Sequence, residues 1–178
     1  MSKTRYDGVQ VAFHWLIALL IVAAFGLALY VDDLPLSALK FKLYSYHKWI
    51  GISVLALVVL RLVWRAWRGA PSALPGQPAW QVKAAAGIHH LLYLLMLALP
   101  LVGWLMSSAK GFPVVLFGVL QLPDLVSRNE ALGHQLAEAH EVLAYLLLAV
   151  VILHVLAALK HHFIDRDDTL RRMLPGRS

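Results

Sequence analysis

Leu136–His162, LAEAHEVLAYLLLAVVILHVLAALKHH, is the stretch that decides the fold. It is long enough to cross a bilayer, which takes about 20 apolar residues in a helix. No charge interrupts it between Val142 and Leu153. It contains two histidines, His140 and His154, 14 residues apart. On an α-helix that separation is almost four turns. Both rings then project from nearly one face, about 40° out of register and about 21 Å apart along the axis. An ionisable side chain inside lipid is costly and marks a functional site by default. Two imidazoles stacked on one face suit two metal centres, one near each side of a membrane, if other segments supply the second ligand of each.

The composition agrees with a membrane class: 60% of the 178 residues are hydrophobic. The length fits one domain, residues 1–178. There is no cysteine, which excludes disulfides, thiolate-held iron–sulfur clusters and covalent haem attachment through C-x-x-C-H. Any haem is held by side chains alone. The formal net charge is +6, and in a membrane protein its placement is more informative than its sum. The lipid bilayer is an expected partner, and nucleic acid is not.

Working outward, three more apolar runs reach spanning length. Residues 9–31 form the first; only Gln10 and His14 are strongly polar within it. It is read as a retained helix rather than a secretory signal, because it is long for a signal and holds His14. The second span covers residues 44–64, with His47 and Lys48 in its first turn and Arg61, Arg65 and Arg68 closing it. A Pro/Gly-rich connection, 69–78, precedes the third span, 83–108, which holds His89, His90 and Pro100. The fourth span is 136–163. Between the last two, the apolar part 112–122 is too short and too broken by Pro113 and Gly118 to cross, and is expected along the interface. The fold class is therefore all-α: a four-helix, multi-pass transmembrane bundle.

Four spans put both termini on one side. Eleven of the 16 lysines and arginines, from Lys3 to Arg177, fall on the termini, the second connection and their flanks, and five on the opposite side. The positive-inside rule then places both termini in the cytoplasm.

Depth sorts the histidines into pairs. His14 and His154 lie near the inner face, and His47 and His140 near the outer one. Each pair offers one iron two axial imidazoles from opposing helices. Haem b, a flat apolar ring, is the expected occupant of both sites, since bundle cores build cofactor sites this way. His134 is six residues from His140, about 120° around the helix, and is read as a loop or rim residue. His161 and His162, beside Lys160, are read as snorkelling or as propionate partners. His89 and His90 have no counterpart at the outer end of their span, which argues against ligation. A hydrogen bond to a propionate or a quinone, or a plain interfacial role, stands for them. Arg61 lies 14 residues from His47, on its face but at the inner depth. Two readings stand for it: a propionate held in its guanidinium fork, or snorkelling to the interface. Gly51, one turn past His47, lets a macrocycle or a helix approach.

These residues resemble a known family, the bacterial cytochrome b561 proteins, over essentially the whole chain. The resemblance rests on His14-Trp15-Leu16, His47, Arg61-Leu62 with Arg65, Leu99-Pro100-Leu101-Val102-Gly103, His140-Glu141, His154, and the tail motifs Asp168-Thr169-Leu170 and Met173-Leu174-Pro175. It implies a small dihaem membrane cytochrome with His14, His47, His140 and His154 as iron ligands. It also implies, for at least one relative, oxidation of superoxide with ubiquinone as acceptor; other members look like electron carriers. The expected activity is thus passage of electrons from superoxide to ubiquinone. The alternative is a haem-b carrier or cytochrome b subunit linking quinol to a periplasmic or membrane redox partner.

Catalytic residues are not identified by the sequence. Lys40, Lys42 and Lys48 at the outer mouth are candidates for steering a small anion, with solvation of the helix end as the plain alternative. Trp15, Trp49, Trp64, Trp67 and Trp104 lie near span ends as aromatic-belt residues. Trp49 is also a candidate to line a quinone or electron-transfer site beside His47.

Overall fold

The computed structural model describes residues 5–176; Lys3 and Arg177, counted among the basic residues above, lie outside them. Four helices dominate it: α1 Gly8–Asp32, α2 Ala38–Arg68, α3 Ala79–Ala109 and α4 Glu130–Lys160. Each has a segment long and apolar enough to cross a membrane. α3 runs through Pro100 without ending.

The helices extend past their apolar runs. α2 starts at Ala38 rather than near Tyr44, because the Ser37 hydroxyl accepts the Lys40 N–H at 3.3 Å and caps it. α4 starts at Glu130, where the Asn129 side chain accepts the Leu132 N–H at 3.0 Å. Hydropathy marks where a helix is apolar; capping marks where it begins. Lys40 and Lys42 therefore lie on α2, and His134 lies exposed on the first turns of α4 rather than in a loop.

Packing follows chain order: α1 on α2, α2 on α3, α3 on α4. Close backbone approaches of α4 to α1 and α2 are few at most, which leaves a gap between them. Side chains bridge that gap in the middle, where Ile17, Val54, Val58, Leu92, Leu95, Met96, Leu147 and Val150 form the buried core. Outward-facing Leu19, Val22, Leu29 and Val142 are each more than 60% exposed, an apolar surface suited to lipid rather than water.

One end gathers the chain's first residues, the α2–α3 connection and the tail. Asp7 caps α1, accepting the Gln10 N–H at 2.9 Å, and also accepts Trp64 Nε1–H at 3.1 Å. The Gln10 side chain donates to the Gly69 carbonyl at 2.8 Å. The start of α1 is thus pinned to the end of α2. After Lys160 the chain makes a π-helical turn, His161–Asp165, then a 3₁₀ turn, Arg171–Met173. This tail folds back: Arg5 donates to the Arg171 carbonyl and Trp15 Nε1–H to the Met173 carbonyl, both at 2.7 Å. We refer to this as the tail end.

The opposite end carries the α3–α4 connection. Its apolar part is residues 112–122. They form an antiparallel hairpin, β1 Val115–Leu116 and β2 Leu120–Gln121, turned by Phe117 and Gly118 at φ 52° and 75°. The hairpin folds onto α2, where Trp49 Nε1–H donates to the Val115 carbonyl at 2.6 Å and Lys48 to the Phe112 carbonyl at 3.0 Å. A segment too short to span still has to satisfy its backbone, and strand pairing does so locally.

Candidate functional site: two histidine pairs across the bundle

The structure brings the four singled-out histidines together in the expected pairs. The ring centres of His14 on α1 and His154 on α4 are 6.2 Å apart. Those of His47 on α2 and His140 on α4 are 6.3 Å apart. Two imidazoles that share one metal ion in trans, each at about 2 Å from it, have ring centres roughly 6.3 Å apart. Both pairs meet that condition across the same interhelical gap that the backbone packing leaves open.

At His47 the outer shell fits as well. Ligating histidines usually engage their second ring nitrogen with a carbonyl or carboxylate. Nδ1 of His47 lies 3.2 Å from the Ala24 carbonyl of α1, leaving Nε2 as the free nitrogen. Nδ1 of His140 is buried without a hydrogen-bond partner among the described residues. Gly103 of α3 leaves the space in which the His140 ring lies: a Cβ there would stand 2.9 Å from Cε1. At Gly51 a Cβ would meet no atom within 4 Å. No helix approaches closely there.

At the tail-end pair a third imidazole appears. His89 of α3 lies 5.4 Å from His154, ring centre to ring centre. That is shorter than a shared axis through one metal requires, so His14 is the better-fitting partner of His154. His90 turns away, exposed, with Nδ1 2.7 Å from the Ala86 carbonyl one turn back. Arg61 is half-buried beside this pair: Nη1 is 3.2 Å from His14 Nδ1, and the guanidinium lies over the Tyr93 ring at 5.6 Å. It points inward rather than snorkelling.

The remaining candidates are otherwise engaged. His161 Nδ1 lies between Asp165 and Asp167, at 3.1 and 2.8 Å. His162 meets Phe163 edge to face. Lys40 donates to the Asp32 and Leu34 carbonyls at 3.2 and 2.8 Å, and Lys42 lies 5.9 Å over Tyr46. These contacts hold the outer lysines in place and leave their charge intact. Sequence reasoning missed Gly103 and Ala24 as parts of the site. Gly103 stood in the motif Leu99–Gly103, and a glycine inside a membrane helix is a signal of close approach. Nothing in the sequence marks the Ala24 carbonyl.

Four spans with imidazoles paired across helices at two depths define a class: membrane bundles suited to holding haem between histidines. The chain matches the family described as prokaryotic cytochrome b561 over residues 5–176, and it belongs to that family. It is 37% identical to Cytochrome b561 homolog 2 of Escherichia coli (strain K12), across 97% of this chain and 93% of that protein. It is 32% identical to Cytochrome b561 homolog 1 of the same strain, across 97% and 98%. To the Probable superoxide oxidase CybB of Yersinia pestis it is 30% identical across 96% of each. The chain is thus a haem b electron-transport protein, multi-pass in the bacterial inner membrane.

Proposed function

We propose that this single-domain protein holds two haems b and passes electrons from superoxide to ubiquinone, with both termini in the cytoplasm. The observation that carries the reading is the pair of 6.2 and 6.3 Å histidine separations, 14 residues apart along α4. His14 and His154 hold the inner haem, and His47 and His140 the outer one. Each haem, when bound, supplies a reversible one-electron carrier. The name of the Yersinia pestis relative supports superoxide as the donor.

The chain's own residues set the orientation. The Ala24 carbonyl accepts the Nδ1 proton of His47 and presents Nε2. Arg61 now donates to Nδ1 of His14. With Nε2 of His14 committed to a metal, Nδ1 carries the proton, and two donors no longer face each other comfortably. Arg61 would then be the residue to hold an anion, such as a haem carboxylate, in its guanidinium fork. His89, 5.4 Å from His154 ring centre to ring centre, would be available to hydrogen-bond a quinone headgroup.

Stopped-flow mixing of the haem-loaded protein with superoxide tests the reading. Superoxide is expected to reduce the haem, and added ubiquinone to reoxidise it. Haem that quinol reduces but superoxide does not would favour the carrier. A pyridine haemochrome assay giving one haem per chain instead of two would end the two-pair arrangement.

A further inference from the structure

α4 changes character as it leaves the bundle. The π-helical turn His161–Asp165 is followed by Arg166 in a left-handed backbone, φ 54°. π-turns hold an extra residue per turn, re-aim the side chains around them, and are frequent at functional sites. Here His161 turns toward Asp165 and Asp167. His162, Phe163, Arg166, Asp167 and Arg171 line a cavity of 320 Å³.

Its lining is cationic in effect. The lone carboxylate, Asp167, is already taken up by the Thr169 N–H at 2.8 Å, His161 at 2.8 Å and Gln77 at 3.2 Å. The Arg171 guanidinium makes only a 3.4 Å contact to Asp168, with both side chains well exposed. The Arg166 N–H donates to the His161 carbonyl, while its guanidinium makes no hydrogen bond or ion pair with another described residue. The second feature is apolar. Ile152, Leu156, Leu159 and Phe163 are all exposed. They follow at intervals of four, three and four, which is one helix stripe. The stripe runs along the lipid-facing side of α4 and ends at the cavity.

A phosphate-sized cationic hollow continuous with a lipid-facing apolar track has the polarity of one kind of molecule. We propose that it binds an anionic phospholipid, with the headgroup phosphate on Arg166 and Arg171 and an acyl chain along Ile152, Leu156 and Leu159. Guanidinium forks match phosphate oxygens, and basic pockets at the membrane face recognise anionic headgroups. The apolar track favours the lipid over a free phosphate. The bound lipid fastens the tail, whose Met173 carbonyl holds Trp15, the neighbour of His14.

The test uses the full-length, haem-loaded protein in detergent, with native mass spectrometry and thermal unfolding followed at the Soret band. Phosphatidylglycerol is expected to remain bound and to raise the unfolding midpoint. Phosphatidylcholine of the same chains and inorganic phosphate are expected to do neither. Arg166→Gln, and Arg166→Gln with Arg171→Gln, alter exposed side chains and should leave haem content unchanged. They should weaken phosphatidylglycerol binding by about tenfold or more, as loss of a charge-assisted bond implies. Equal retention of phosphatidylcholine, equal protection by inorganic phosphate, or undiminished phosphatidylglycerol binding in the double variant would each overturn the proposal.

Discussion

Gly103 and His140 lie so close that a methyl group on Gly103 would stand 2.9 Å from His140 Cε1 and 3.2 Å from Nδ1. The absence of a side chain on α3 therefore fixes where the α4 imidazole rests. Gly103→Ala forces the ring to move, and overpacking of this kind costs about 1–3 kcal/mol. The outer haem is expected to lose occupancy in Gly103→Ala and to be absent in Gly103→Val, with the inner haem retained. Haem content and redox difference spectra check this. A full complement in Gly103→Val would show that His140 is not held this way.

Truncating any one of the four paired histidines is expected to halve haem content. His47→Ala and His140→Ala should remove the same spectral component, and His14→Ala and His154→Ala the other. The ground is reach, since a ligand cannot bridge a hydrocarbon core about 30 Å thick. His89→Ala is expected to keep both haems, because its 5.4 Å approach to His154 does not fit a trans axis. If His47→Ala and His14→Ala altered the same component, the pairing would be wrong.

Arg61 contacts His14 at 3.2 Å, and its predicted role lies at the haem edge. Replacing a residue in the shell around a metal ligand commonly costs about 10–100-fold in affinity. Arg61→Gln should weaken the inner haem by this order and leave the outer one in place. Arg61→Lys keeps the charge but not the fork and should fall between. Haem titration of the stripped protein would read both, and equal affinity for all three proteins would confine Arg61 to packing on Tyr93.

Lys40 and Lys48 are tethered to carbonyls and Lys42 stands over Tyr46, so their charges are fixed at the hairpin end. If they steer superoxide, screening over about 8 Å at physiological ionic strength should slow haem reduction as salt rises. Replacing all three with Gln should lower the rate and flatten its salt dependence, with the spectrum unchanged. Equal rates and slopes in a stopped-flow salt series would leave the lysines a solvating role only.

Asp167 sits where the tail meets Gln77. Burial pushes its carboxyl up, but hydrogen bonds from Thr169, Gln77 and His161 outweigh this and hold it below the ordinary aspartate value. A carboxylate held low stabilises fully above its unfolded pKa, and that contribution is lost as pH falls through the folded one. Tail docking should therefore be constant above about pH 5 and loosen below about pH 4. The chain lacks cysteine, so a spin label on Gly176→Cys would report on the tail alone. Its mobility should rise at acid pH, and at all pH values once Asp167→Asn is added. A label immobile at pH 3 would refute this anchoring.

The sequence by itself determined the class of fold and the four paired histidines. Both are one-dimensional properties: spanning length follows from a run of apolar residues, and His140 and His154 share a face because helical geometry is regular. Ligand depth follows from position within a span. Other features depend on what a second helix brings alongside. That His89 joins the tail-end cluster while His90 turns out is a matter of α3's rotation about its axis, which two adjacent residues do not reveal. Arg61 pointing to His14, Ala24 offering its carbonyl to His47, and Gly103 making room for His140 are contacts between segments 23 to 47 residues apart. The hairpin over Trp49 was equally invisible, since an apolar run broken by Pro113 and Gly118 specifies only that it does not span. Backbone hydrogen bonding and the proximity of α2 decided its shape, and that choice exists only once the helices have packed.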